Sequence, residues 1–251
     1  MNEPEPSADD GPPQQHGGPG GRREPILNMP AAVTAFTVLL LAIHVVQSYF
    51  LSADARVEAL ILFSFIPSRY VEAGAGLPWP AAAFWSPVTY SLFHGGWGHL
   101  LMNLAWLAAF ATPVARRLGP ARATILALLA SLGGALAHYL AFRGELAPMI
   151  GASAVVSGAM GAASRFVFSG PGGFSRHDAP AQGLAAVFVN PAFLTFAGIW
   201  FALNYLFGSG LVPIAGEETR IAWQAHVGGF VAGILGFSLL DRRVGLPTRP
   251  N

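Results

Sequence analysis

Residues 149–161 read MIGASAVVSGAMG, and the run continues without a charge as far as Arg165. It has the apolarity of a helix that meets lipid. Yet it carries two serines, Ser153 and Ser157, and three glycines, Gly151, Gly158 and Gly161. Hydroxyls are costly in hydrocarbon, and small residues mark places where another helix comes close. The stretch therefore predicts a membrane helix that packs on protein and presents polar groups to a partner.

The composition supports lipid as the main solvent. The chain has 251 residues, 53% of them hydrophobic and 11% charged, where a soluble domain carries about a quarter charged residues. There is no cysteine, so no disulfide framework or thiolate metal site is expected. A net charge of +1 gives no reason to expect a nucleic acid partner.

Residues 1–28 are rich in proline, glycine and acids and lack apolar periodicity. They are expected to be a disordered cytoplasmic tail, since they cannot bury enough surface to offset chain entropy. They do not read as a signal peptide, because the apolar run comes too late and no small-residue cleavage site follows it. The membrane core is expected over 29–241, with a short cytoplasmic tail at 242–251.

A bilayer core of roughly 30 Å needs about 20 apolar helical residues. Six segments meet that need: Ala31–Leu51, Trp97–Ala115, Ala123–Phe142, Gly151–Phe168, Pro191–Phe207 and Ala222–Leu240. Arg165 is the only charged residue within them. The fold class expected is thus all-α, a bundle of six transmembrane helices.

Arginines set the orientation. Arg22, Arg23, Arg116, Arg117, Arg122, Arg165, Arg176, Arg242, Arg243 and Arg249 fall on one side, and Arg56, Arg69, Arg143 and Arg220 on the other. The richer side is expected to be cytoplasmic, with both termini there. The first outer loop, 52–96, is long and holds apolar pieces too short or too proline-broken to span, expected at the interface. The inner loop 169–183, SGPGGFSRHDAPAQG, reads as a flexible connector.

In this orientation His99 and Asn103 sit in the first two turns of the second span, Ser153 opens the fourth, and His226 lies early in the sixth. A rise of about 1.5 Å per residue puts all four within roughly 10 Å of the outer ends. The sixth span, AHVGGFVAGILG (225–236), places Ala225, Gly229 and Gly233 four residues apart, a pattern that admits a close neighbour. If it packs on the fourth span, Ser153 can meet His226, and a neutral imidazole can take a serine proton. All acidic residues lie in tails or loops, so a Ser-His dyad is inferred. His99 and Asn103, four apart on one helical face, together with the Ser153 amide, are candidate donors to an oxyanion.

The motifs HGGWGHLLMNLAWLAAF (94–110), GASAVVSGAMG (151–161) and AHVGGFVAG (225–233) occur in an order that resembles the rhomboid intramembrane serine proteases. The resemblance covers about residues 31–240. It implies Ser153 as nucleophile, His226 as general base, and His99 and Asn103 as oxyanion donors. His94 corresponds to a further loop histidine, and Ser157 and Gly151 are supporting candidates. It also implies cleavage of other proteins' transmembrane segments near their outer ends, with those segments and the bilayer as partners. No cofactor or metal is implied. The compact core suggests a bacterial inner membrane.

Three positions depart from the family pattern. Ala154 stands where glycine is frequent. Ser157 replaces an aromatic that in some members stacks on the histidine. No Trp-Arg pair occurs in the first loop, where Arg69 stands.

Other readings are weaker. A zinc site from His94, His99 and His226 lacks a carboxylate partner in the spans, and aspartyl proteolysis lacks aspartates there. A transporter would show inverted repeats. The main alternative is a catalytically inactive rhomboid-like protein that binds membrane partners. Asn204, Gln224, His44 and His138 read as interhelical contacts, and Gly133 and Gly134 as close-packing positions.

Overall fold

The computed structural model describes residues 29–71, 76–175, 177–209 and 222–242. The tail expected at 1–28 lies outside the described residues, as does all but the first residue of the tail expected at 242–251. So do Arg22, Arg23, Arg176, Arg220, Arg243 and Arg249 of the orientation argument.

The described chain forms α1 (Ala31–Tyr49), α2 (Ala53–Phe63), α3 (Ala82–Thr89), α4 (Trp97–Leu118), α5 (Pro120–Ala141), α6 (Ser153–Val167), α7 (Leu184–Val187), α8 (Pro191–Gly208) and α9 (Trp223–Leu240). Short 3-10 turns fall at Pro67–Tyr70, Tyr90–Leu92 and Gly173–Ser175. Extended pairing among the described residues is limited to one isolated antiparallel bridge, Phe65 to Met149. The protein is an all-α, multi-pass membrane bundle. Backbone groups in hydrocarbon must be satisfied within their own segment, and helices do that.

Five of these helices, α1, α4, α5, α8 and α9, are long and apolar enough to cross a membrane. Their outward faces remain apolar: Leu128, Leu132, Leu136 and Leu140 run as an exposed stripe down α5. The expected fourth span is different. Helix α6 has 15 residues, about 22 Å at 1.5 Å each, shorter than a bilayer core. Every residue from Ala154 to Val167 is buried. A helix wrapped by protein need not match the hydrocarbon thickness, which is why this one can be short and rich in alanine, glycine and serine.

Helix α6 is surrounded by α4, α5 and α9, and α9 packs closely on both α5 and α6. Helix α1 lies against α4, and α8 lies against α9. Glycines set the α6–α9 distance. A Cβ added at Gly233 would sit 2.0 Å from Gly158 O, and one at Gly229 would sit 2.2 Å from Ala154 O. The α5–α9 seam is similar, since a Cβ at Gly228 would meet Gly133 O at 2.2 Å. The small residues of α9 therefore serve two neighbours, Gly229 and Gly233 towards α6 and Gly228 towards α5.

The end of the bundle far from Ser153 is tied by two buried arginines. Arg117 pairs with Asp241, at 2.8 Å between Nη2 and Oδ2, and donates to the carbonyl of His177. Arg165 donates to Gln182 O at 2.9 Å, Ile234 O at 3.0 Å and Ser238 Oγ at 2.6 Å. The inner loop expected to be a flexible connector is thus pinned through its carbonyls. In the first outer loop Arg69 is buried and donates to Ile61 O, Pro78 O and Trp79 O at 2.7–2.9 Å. One guanidinium holds α2 to the segment leading into α3.

Candidate active site

Ser153 is the first residue of α6, and the loop before it is held on several sides. Phe65 and Met149 exchange both bridge hydrogen bonds, at 2.9 and 3.0 Å. His138 on α5 contacts Ala147 O at 3.0 Å through Nε2. The Gly151 amide donates to Tyr90 O at 2.9 Å, and Tyr90 Oη donates to Ser131 O on α5. The Ala152 amide donates to His94 Nε2 at 3.3 Å. His94 has no exposed surface, so this supporting candidate acts on the backbone just before the serine.

Burial, aided by the neighbouring His99 and His44, pushes the His94 imidazole down to about 3. It is therefore neutral at ordinary pH, with Nε2 available as an acceptor.

Gly151 adopts φ of +122°, a backbone conformation that residues with a Cβ rarely take. Space is closed there as well. An added Cβ would lie 2.7 Å from His99 Nε2 and 3.8 Å from Ser153 Oγ. The His99 ring and the serine hydroxyl therefore border the same small volume, and glycine keeps it open. The His94 and His99 rings meet edge to face at 5.0 Å between centroids. Asn103, one turn further along α4, is buried and donates from Nδ2 to His99 O at 2.9 Å. Its second Nδ2 hydrogen remains for another acceptor.

Helix α9 brings His226 to the serine. His226 Nε2 lies 2.7 Å from Ser153 Oγ, a normal distance for a hydroxyl donating to an imidazole nitrogen. Ser157, the other supporting candidate, donates from Oγ to Ser153 O at 2.7 Å. It braces the first turn of α6 and leaves the imidazole alone.

Among the described residues no aromatic ring stacks on His226; the ring's other nitrogen, Nδ1, forms a short hydrogen bond with Asn204 Oδ1 of α8. Asn204 was expected only as an interhelical contact. The bond does cross between helices, but it ends on the imidazole that faces the serine. No pattern in one chain marks an asparagine on a separate span as a neighbour of a given histidine; only the crossing of α8 and α9 does so.

Ser153, His226, His99, Gly151, His94 and Ser157 are thus gathered at one end of α6, with Asn103 a turn below His99. An alcohol beside a neutral imidazole is a nucleophile and base in contact. The first-turn amides of α6 have no carbonyl a turn earlier in the helix to bond, and can serve a developing negative charge. Among the described residues no group of three His, Asp or Glu side chains is arranged to hold a metal ion.

The Rhomboid domain family model matches residues 81–242, a span that takes in α3 to α9 with Ser153, His226, His99, Asn103, His94 and Asn204. No curated protein matches the chain.

Proposed function

The chain belongs to the rhomboid family of intramembrane serine proteases, and from that premise we propose that it cleaves transmembrane segments of other membrane proteins by a Ser153–His226 pair. The observation that carries this reading is the 2.7 Å approach of His226 Nε2 to Ser153 Oγ across the α6–α9 seam.

In the proposed reaction Ser153 Oγ attacks a peptide carbonyl carbon while its proton passes to His226 Nε2. The carbonyl oxygen becomes an oxyanion, held by His99, Asn103 and the Ser153 amide. Collapse breaks the C–N bond, and His226 returns the proton to the leaving amine. Water then hydrolyses the acyl ester with His226 again acting as base.

Helix α6 is the fourth of six spans in this reading, short because its serine end stops below the outer surface. The arginine distribution supports an extracytoplasmic position for that end, with both termini cytoplasmic, and the compact core supports a bacterial inner membrane. The substrates are membrane proteins whose helices unwind at their outer ends.

Labelling with a fluorophosphonate probe tests the pair directly. Purified protein in detergent should label, Ser153→Ala should not, and His226→Ala should label far more slowly. Cleavage of a reconstituted transmembrane substrate should follow the same order. Labelling of Ser153→Ala at the wild-type rate would remove the assigned nucleophile. A wild-type protein inert to both assays would favour the inactive, partner-binding reading.

A further inference from the structure

We propose that Asn204 is a positioning residue that holds His226 in the one tautomer able to act as base towards Ser153. The inference rests on the protease reading above and adds a third member, from a third helix, to the pair inferred from sequence.

The argument runs along one line of hydrogen bonds. Asn204 Nδ2 donates to Trp200 O at 2.7 Å, one turn earlier on α8. A carbonyl oxygen only accepts, so the amide is oriented with its nitrogen towards Trp200 and its oxygen towards α9. That oxygen meets His226 Nδ1. Since Oδ1 has no proton to give, Nδ1 must carry the hydrogen of the bond. A neutral imidazole has one N–H, so Nε2 then holds the lone pair. Nε2 is the atom 2.7 Å from Ser153 Oγ. The Trp200 carbonyl thus fixes the amide, the amide fixes the tautomer, and the tautomer leaves a base aimed at the hydroxyl.

Without the amide the ring is free to hold its hydrogen on Nε2. In that form it would donate to Oγ and could not accept the serine proton. The Ser157 position offers no substitute, because its hydroxyl is engaged with Ser153 O. A bond that merely glued α8 to α9 would have no need of this particular histidine, nor of an acceptor at Nδ1.

The test uses the full chain in detergent with three variants. Asn204→Leu keeps the approximate size and removes the acceptor, Asn204→Asp keeps the acceptor, and Ser153→Ala is the control. The leucine variant should lose about tenfold to a hundredfold in kcat on a transmembrane substrate, with KM changed by less than about twofold. The aspartate variant should recover most of the lost kcat.

The tautomer is read from nitrogen chemical shifts of protein labelled with 15N-histidine, with His226 assigned by its loss in His226→Ala. Wild type should show the Nδ1–H form, and Asn204→Leu a shift towards Nε2–H. Wild-type kcat in Asn204→Leu, or an unchanged tautomer, overturns the inference. So does a loss of kcat that tracks a fall in thermal stability and that aspartate does not repair. Failure of the protease reading looks different: wild type and Ser153→Ala would then be equally inert, while the nitrogen shifts would still decide whether Asn204 sets the tautomer.

Discussion

Replacing Gly229 by alanine tests whether the α6–α9 seam is what brings the reacting groups together. The added Cβ would lie 2.2 Å from Ala154 O, 2.8 Å from Ala154 C and 2.9 Å from its Cα. A carbon normally approaches a carbonyl oxygen no closer than about 3.3 Å, so the helices must part by about 1 Å. The obstacle is backbone, and no side-chain rotation relieves it. Ala154 adjoins Ser153, and Gly229 lies within one turn of His226. Parting by that amount stretches the 2.7 Å contact between Nε2 and Oγ to roughly 3.7 Å, beyond hydrogen-bond reach.

A misplacement of about 1 Å costs on the order of 10²-fold in rate, or about 2.7 kcal/mol of barrier. Fluorophosphonate labelling and substrate cleavage should both fall by that factor in detergent-purified Gly229→Ala, alongside a lower thermal midpoint. Gly198→Ala on α8, where an added Cβ meets no atom within 4 Å, is the matched control and should leave both unchanged. Wild-type labelling by Gly229→Ala with an unaltered midpoint would show that the seam does not set the distance, and the reasoning would fail.

Gly151→Ala combines a left-handed φ of +122° with a Cβ 2.7 Å from His99 Nε2. The strain is of order 1–3 kcal/mol, so both thermal midpoint and labelling rate should drop, and equal values in variant and wild type would argue against a closed site. Asp241→Leu strands the buried Arg117 guanidinium and should cost about 3–5 kcal/mol in thermal unfolding; the double variant Arg117→Met, Asp241→Leu should recover much of it, and no recovery would mean that the pair does not act as a unit.

The His94 imidazole falls from 6.5 to about 3 on folding, so the folded state binds fewer protons between those values. Its contribution to stability is complete above about pH 6.5 and is lost progressively as pH drops towards 3. Thermal midpoints from pH 7 to 4 should fall less steeply in His94→Gln, and parallel slopes would remove His94 from the account.

The spans were legible in the sequence because crossing lipid is a property of one segment at a time. The apolar run from Ala31 and that from Pro191 become α1 and α8 with the same first residues. Ser153 and His226 stood out for a related reason: a hydroxyl and an imidazole amid glycine and alanine are anomalies against a uniform apolar background.

The neighbours of Arg69, Arg165 and Asn204 were not legible in that way. Arg165 was read only as a marker of orientation, and its role as a buried tie between α6, the inner loop and α9 had no signature in the sequence. Segment 169–183 looked like a free connector because its glycines and prolines carry no periodicity, while the groups that hold it belong to distant helices. The 15-residue length of α6 was hidden too, since hydropathy cannot distinguish burial in lipid from burial in protein.

By itself the sequence determined where the long apolar helices run and which side chains are chemically out of place among them. The tertiary structure alone decided which face of each helix meets which other, because a rotation of one helix by a single residue redirects every side chain by about 100°. The contact of Asn204 with His226 depends on that angle on two separate helices.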